Sequence, residues 1–369
     1  MNKYDIKQLC PVPPPYGGVT VHVKRLTERL TMDGLSAGAY YTPECTDKII
    51  LQSEFYDLMS WEHSANKVIK LFRHVVRIWK RINEVKPYRV VHSHSSLEDM
   101  FLLWIIKNIC KKSLVITVHN SMQEEFYRST NRVNKFFMKR LAKQNIVWIA
   151  VSEKAKNEML KLPLRFKNEI HVIPAYIPVE ENCFLPLSDE MQLYLESHSK
   201  NIVFYARSFM LHNGIDVYGF DAVLTMYANI LKDYNDVGLL LCLAEDSDIP
   251  KLETLHSKAK SLRVDDKLFW QIGAIDNMQT LWRQTDIYVR PTNTDGDSLA
   301  IREALDMGVK VVASNVCYRP EGTITYQYGN DTDLYEKIKD ELGKERTQTC
   351  KNHSFYSQIR DIYIELLTK

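Results

Sequence analysis

Long apolar runs are missing from this 369-residue chain. No stretch reaches the ~18 consecutive apolar residues that a membrane-crossing helix needs. The best, residues 101–106, is cut by Lys107. The opening MNKYDIKQLC lacks the apolar core of a signal peptide, so the chain is expected to stay in the cytoplasm. Cysteine is sparse: seven residues, at 10, 45, 110, 183, 242, 317 and 350, with no C-x-x-C pair. That spacing excludes a disulfide framework and a zinc ribbon, and suits free thiols in a reducing compartment. No zinc finger, helix-turn-helix or aromatic-interleaved RNA motif is present, so nucleic acid is not an expected partner. The phosphate-binding lysine of a P-loop and the spacing of G-x-G-x-x-G are absent too, which argues against an ordinary ATPase or dehydrogenase.

What is there is an ordinary globular mixture, 45% hydrophobic and 25% charged, long enough for two domains. The net charge of +2 hides an imbalance. Residues 1–170 hold 28 Lys+Arg against 16 Asp+Glu, and the remainder holds 20 against 30. A basic half suits an anionic substrate or an anionic lipid surface. Short apolar runs, at 89–92, 114–118, 147–151, 171–173, 201–205, 238–243, 287–290 and 309–313, alternate with helical patterns. This is the rhythm of parallel sheets covered by helices, once before residue 175 and again after 200. Between them lies a segment with Pro174, Pro178, Pro186 and the pair Glu180-Glu181, read as a linker over 176–200. Residues 66–86 form the strongest amphipathic helix. Val68, Ile69, Phe72, Val75, Val76, Trp79 and Ile82 are assigned to the core, with Lys67, Lys70, Arg73, Arg77, Lys80 and Arg81 opposite. Together with Lys107, Lys111, Lys112 and the basic cluster at 132–143, that face could dock on an anionic membrane.

Three motifs carry chemistry. Pro13-Pro14-Pro15-Tyr16-Gly17-Gly18 leads into an amphipathic stretch containing His22. Glycines before a helix N-terminus let backbone N–H groups approach an anion. His92, His94 and His119 stand at strand ends, where α/β sheets place functional groups. His92 and His94 share a strand face, but no third ligand is evident beside them, so no metal site is expected. His119 faces a polar loop and suits a ligand contact. The most specific stretch is Asp295-Gly-Asp297-Ser298-Leu299-Ala-Ile-Arg-Glu303, after the strand-like 287–290. Its loop–helix junction offers N–H groups to a diphosphate, and Glu303, about one turn in, could accept ribose hydroxyls.

These residues resemble glycosyltransferase family 4, retaining enzymes of the GT-B fold. The family pattern has Pro-Ser, a loop, Glu-Gly-Phe-Gly-Leu-Pro, a second Glu-Ala eight residues after the first Glu, then Gly-x-Pro-Val-Val-Ala-Ser and Pro-Glu. Here the counterparts are Pro291-Thr292, residues 295–300, Glu303-Ala304, residues 308–314 and Pro320-Glu321. Gly17-Gly18 with His22, His92, His119, residues 150–152, Pro174, residues 269–273 and Asp286 continue the match from about residue 10 to residue 322.

The resemblance implies an α/β GT-B architecture, two Rossmann-like doubly wound domains facing a central cleft. These would be an acceptor-binding domain at 1–175, a nucleotide-sugar-binding domain at 201–352, and a terminal helix at 353–369 packed back on the first. It implies that Glu303 binds the ribose, Asp295 the donor sugar, and Arg207 the diphosphate. Gly17 and Gly18, with Asp297, Ser298 and Leu299 at the helix entrance, complete the donor site, and His119 stands near the reacting centre. It implies transfer of a hexosyl group from a UDP- or GDP-sugar, without metal or cofactor, to a lipid-linked glycan for a bacterial surface polysaccharide. The enzyme would work peripherally on the inner face of the membrane. Two other readings stay open: an epimerase or phosphorylase on the same fold, and a non-catalytic partner in polysaccharide assembly. The chain departs from the family pattern in having Asp295 for the first Glu, Ala175 for Asn, and no Lys shortly after Arg207, where a longer segment carries His212 and Tyr218.

Overall fold

The chain divides into two compact units, residues 1–177 with 353–369 and residues 178–352. The computed structural model describes residues 3–13, 17–41, 51–54, 67–94, 99–120, 122–180, 184–245, 248–273, 275, 278–295, 297–346 and 354–369.

Unit 1 runs β1 (Tyr4–Pro11), α1 (Gly18–Met32), β2 (Ala37–Tyr41), β3 (Leu51–Glu54), α2 (Lys67–Val85), β4 (Tyr88–Ser93), α3 (Met100–Asn108), β5 (Ser113–Val118), α4 (Gln123–Ser129), α5 (Arg132–Ala142), β6 (Val147–Ala150), α6 (Glu153–Lys161) and β7 (Ile170–Val172). Its strands pair in parallel in the order β3-β2-β1-β4-β5-β6-β7. Helices cover both faces, which is why β5 reads as an almost continuous apolar run interrupted only by Thr117. Leu114, Ile116 and Val118 enter one core cluster, while Val115 enters the other with Ile6, Val90 and Ile149.

Unit 2 runs α7 (Asp189–Glu196), β8 (Lys200–Ala206), β9 (Leu211–His212), β10 (Ile215–Asp216), α8 (Phe220–Asp233), β11 (Val237–Leu243), α9 (Ile249–Ser261), β12 (Phe269–Ile272), α10 (Met278–Arg283), β13 (Ile287–Arg290), α11 (Leu299–Asp306), β14 (Lys310–Ser314), β15 (Thr323–Tyr326) and α12 (Asp331–Leu342). Six strands form a parallel sheet in the order β12-β11-β8-β13-β14-β15. The added segment after Arg207 folds as the small antiparallel hairpin β9–β10. Asn213 and Gly214 turn it at φ 52° and 77°, the geometry Asn-Gly supplies in a two-residue turn. The last helix, α13 (Ser354–Thr368), belongs to unit 1: its Tyr356, Ile359 and Tyr363 are buried with Ile6, Leu26 and Val90.

Three expectations need correction. The linker expected at 176–200 belongs to unit 2 from residue 178 onward. Leu187, Met191 and Leu195 recur four apart and seat α7 in the unit 2 core, and the Ser188 side chain caps it by accepting from Met191 N. In α2, Val75 and Trp79 are 55% and 63% exposed rather than core. The buried seam runs through Ile78, Ile82 and Val85, and Trp79, one residue past Ile78, falls about 100° round the helix from it. The side chains of Val68, Ile69, Phe72, Lys67, Lys70 and Arg73 lie outside the described residues. Within the basic set, Lys112 is buried and donates to the Lys86 carbonyl at 2.6 Å, and Arg81 lies on the Tyr40 ring and pairs with Glu84 at 3.0 Å. Local packing, not lipid, takes both cations.

Candidate functional site

The loop after β13 and the start of α11 gather the densest charge in unit 2. Pro291 ends β13, and Ser298 caps α11 by accepting from Ile301 N at 3.4 Å. The first N–H groups of α11, at Leu299 and Ala300, are left for an external acceptor. Asp295 lies between two arginines. Arg290 grips it with Nε at 2.9 Å and Nη2 at 3.2 Å, and Arg319 adds Nη1 at 2.9 Å. Both arginines are buried. Arg319 also donates to Ser314 O, Ser314 Oγ and Thr292 Oγ1. Arg290 donates to the Tyr288 hydroxyl and lies over the Tyr218 ring, its guanidinium carbon 5.3 Å from the centroid. Burial pushes the Asp295 carboxyl up, but the two guanidiniums outweigh it and hold it below the usual carboxylate range. The group is an anion wedged between two cations, with a net charge of +1 beside a helix N-terminus.

Asp297 is paired with Arg302. Its two oxygens accept from Arg302 Nε at 2.8 and 2.9 Å, and burial raises its pKa against the opposing pull of Arg302. Glu303 is buried on α11, and its Oε2 accepts from Trp282 Nε1 at 3.3 Å. That contact fixes the carboxylate one turn into the helix. Arg207, just past β8, pairs with Glu245 at 2.8 Å, both side chains about two-fifths exposed. Tyr218 is buried, whereas His212 on the hairpin is exposed. Asp216 accepts from the Tyr218, Gly219 and Phe220 amides and so starts α8. Unit 2 thus brings together Asp295, Asp297, Ser298, Leu299 and Glu303 on one loop and helix.

In unit 1, Gly17 is the N-cap of α1 with extended φ of −174°, and a Cβ built on Gly18 would meet nothing within 4 Å. Backbone strain does not explain Gly17 and crowding does not explain Gly18; glycine at a helix N-terminus permits close approach of a ligand. His22, on α1, meets His94 and His119, which follow directly on β4 and β5. Its Nδ1 donates to the Ala175 carbonyl at 2.7 Å. His94 Nε2 lies 2.7 Å from Gln8 Oε1, and His94 Nδ1 lies 3.0 Å from His119 Nε2. His92 bonds to the Tyr363 hydroxyl and, at 2.7 Å, to Thr117 Oγ1. Burial keeps these rings neutral: His22 is lowered to about 4, and His92, His94 and His119 fall well below the ordinary imidazole range. One ring nitrogen each from His22, His94 and His119 lies within 4.8 Å of the others. The sequence puts His92 and His94 on one strand face with no metal expected; in the fold both His92 nitrogens are engaged, and the histidines that converge are His22, His94 and His119.

Sequence reasoning missed Arg290 and Arg319 as site residues. A charged residue ending the apolar strand 287–290, just before Pro291, was the available signal, because strand carboxyl ends are where such sheets put function.

Residues 16–181 match Glycosyltransferase Family 4. No curated protein sequence matches the chain. Among solved structures, a glycosyltransferase from Rickettsia africae is 18% identical, with TM-score 0.69, covering 100% of this chain and 99% of its own. Sucrose-phosphate synthase from Thermosynechococcus elongatus is 16% identical, with TM-score 0.72 and 99% of each chain covered. HepE of Anabaena, solved with UDP and glucose, is 14% identical with TM-score 0.65, covering 99% of this chain and 96% of its own. The family resemblance read from the motifs is therefore confirmed in the segment 16–181, and the chain has the GT-B fold, α/β with two Rossmann-like units.

Proposed function

We propose that this chain is a retaining glycosyltransferase that moves a hexosyl group from a UDP- or GDP-sugar to a lipid-linked glycan in bacterial surface polysaccharide synthesis. The observation that carries the reading is the α11 entrance. Free N–H groups at Leu299 and Ala300, a buried carboxylate at Glu303 and the net positive Arg290–Asp295–Arg319 group fit a nucleoside diphosphate better than any other common ligand. The family match and the HepE complexes with UDP and UDP-glucose support it.

In this reading Glu303 accepts the ribose hydroxyls and the α11 N–H groups hold the diphosphate. Arg207 exchanges Glu245 for a phosphate oxygen. The family resemblance assigns Gly17 and Gly18 to the donor and His119 to the reacting centre. Asp295 contacts the donor sugar while orienting Arg290 and Arg319. The anomeric C–O bond to the diphosphate breaks, the acceptor oxygen attacks the same face, and the departing phosphate takes its proton. Fixed dipoles and cations stabilise the leaving charge, so the step calls for no metal.

Unit 1 supplies the acceptor side. On α5, Val133 and Phe136 are 60% and 50% exposed alongside Arg132, Lys135, Lys139 and Arg140, a composition suited to an anionic bilayer at about 1 kcal/mol per basic residue. Among the described residues, no helix is long and apolar enough to cross a membrane.

The test is product analysis by NMR with a UDP- or GDP-sugar, with and without a lipid-linked acceptor. The reading expects acceptor-dependent transfer with the donor's anomeric configuration kept. Conversion of the donor alone to an epimer, or phosphorolysis, would replace it with one of those activities. Binding without turnover would make the chain a non-catalytic partner.

A further inference from the structure

His22, His94 and His119 form a near-equilateral triangle, with ring centroids 5.5, 5.4 and 5.3 Å apart. The hydrogen bonds around it settle which nitrogens are free to act as ligands. The Ala175 carbonyl can only accept, so His22 carries its proton on Nδ1 and keeps a lone pair on Nε2. Gln8 donates its amide N–H to the Tyr363 hydroxyl at 3.2 Å, so its Oε1 faces His94 and accepts from His94 Nε2. His94 therefore keeps its lone pair on Nδ1, the atom turned toward His119 Nε2. His119 needs only to move its proton to Nδ1 to present a third lone pair to the same space. Ligands of a tetrahedral zinc ion, at roughly 2.0–2.1 Å from the metal, stand about 3.3 Å apart. A spread of at most 4.8 Å, with one pair already at 3.0 Å, closes to that by small ring movements.

We propose that His22, His94 and His119 bind one divalent first-row transition ion of the zinc class, with a fourth position left open. Imidazole suits such ions, whereas magnesium and calcium want oxygen, and this triangle contains no carboxylate. Metal-binding histidines characteristically donate their other N–H to a carbonyl or carboxylate, which fixes ring and tautomer. His22 on Ala175 and His94 on Gln8 already have that outer shell. His92 is excluded because both its nitrogens are engaged. All three histidines lie in unit 1. The consequence for activity rests on the function proposed above: a filled site engages His119, and zinc becomes an inhibitor.

The test is titration of the metal-stripped full chain with Zn²⁺ against a chromophoric chelator, and with Co²⁺ followed by electronic absorption. One equivalent should bind, with the intense ligand-field bands of a low-coordinate cobalt site. His22→Gln and His94→Gln should each weaken binding at least about a hundredfold, and Gln8→Leu, which touches only the outer shell, about 10–100-fold. His256→Gln, in unit 2, should change nothing. Circular dichroism checks that each variant folds, and Gln8→Leu keeps the comparison if a histidine variant does not. Absence of the cobalt bands, or binding that the His22, His94 and Gln8 variants leave unchanged, overturns the site. Transfer assayed with and without zinc is a separate readout. Binding without inhibition would leave the site standing and count against His119 as a donor contact.

Discussion

Replacing Asp295 by alanine removes an anion that Arg290 and Arg319 share. The structure sets the scale. From the two arginines the carboxylate accepts hydrogen bonds of 2.9, 3.2 and 2.9 Å, and the arginines are 9% and 8% exposed. Without it, two guanidiniums that cannot lose their charge face one another in a poorly solvated space. Their other partners, Tyr288 for Arg290 and Ser314 and Thr292 for Arg319, hold them there. Breaking one side of a buried ion pair costs about 3–5 kcal/mol. Because a chain of two units need not unfold in one step, the assay is hydrogen exchange on peptides covering β13, α11 and β14. Protection there should fall roughly a hundred- to several-thousand-fold, while β4 and β5 of unit 1 stay unchanged. The folded-state carboxyl pKa is depressed, so this contribution is fully present above the unfolded value of ~3.9 and is lost as pH falls through the folded one. The difference between variant and wild type should therefore be flat from pH 5 to 8. Asp295→Asn keeps the shape but turns an amide donor toward an arginine donor, and should recover less than half of the loss. Protection within about threefold of wild type in Asp295→Ala would refute the view that this carboxylate organises the loop.

Three further expectations follow from single contacts. Lys7, buried on β1 and donating to Ala39 O at 2.9 Å, is lowered to about 7, chiefly by desolvation. Between about 7 and the ~10.4 of an unfolded lysine the unfolded chain holds more protons, so unit 1 should gain up to about 1.4 kcal/mol per pH unit. Lys7→Met should abolish that rise, and equal slopes by denaturant titration at pH 7 and 9 would contradict it. Gly219, at φ +77°, would bring a Cβ to 2.7 Å from Pro291 O. Gly219→Ala should therefore cost about 3 kcal/mol in unit 2, and a loss below 1 kcal/mol by hydrogen exchange would be a failure. Arg207→Ala removes a half-exposed pair and should change stability by less than about 1 kcal/mol. It should slow transfer roughly 10²–10³-fold, and unchanged turnover would remove Arg207 from the site.

Much of this architecture was legible because parallel strands buried on both faces leave continuous apolar runs. Residues 287–290 and 114–118 were read almost to their ends. The α11 entrance was legible because loop, cap and carboxylate lie within nine residues of one another. Contacts distant in sequence were not. Nothing local says that Arg319 reaches back to Asp295, that Gln8 orients His94, or that His22 joins His119. The linker and the α2 core failed for a related reason. Prolines mark turns without saying which unit a segment packs on. An apolar stripe broader than the buried seam leaves its edge residues, Val75 and Trp79, outside.

The central claim is that the α11 entrance binds a nucleotide-sugar. It is tested most directly by titration calorimetry of the intact chain with UDP-, GDP- and ADP-sugars, alongside Glu303→Ala. One nucleotide should bind with clear preference, and loss of a carboxylate that accepts ribose hydroxyls should weaken it about 10- to 100-fold. Circular dichroism should show the variant folded. A folded wild-type chain that binds none of the three, or binds one equally well without Glu303, would contradict the account.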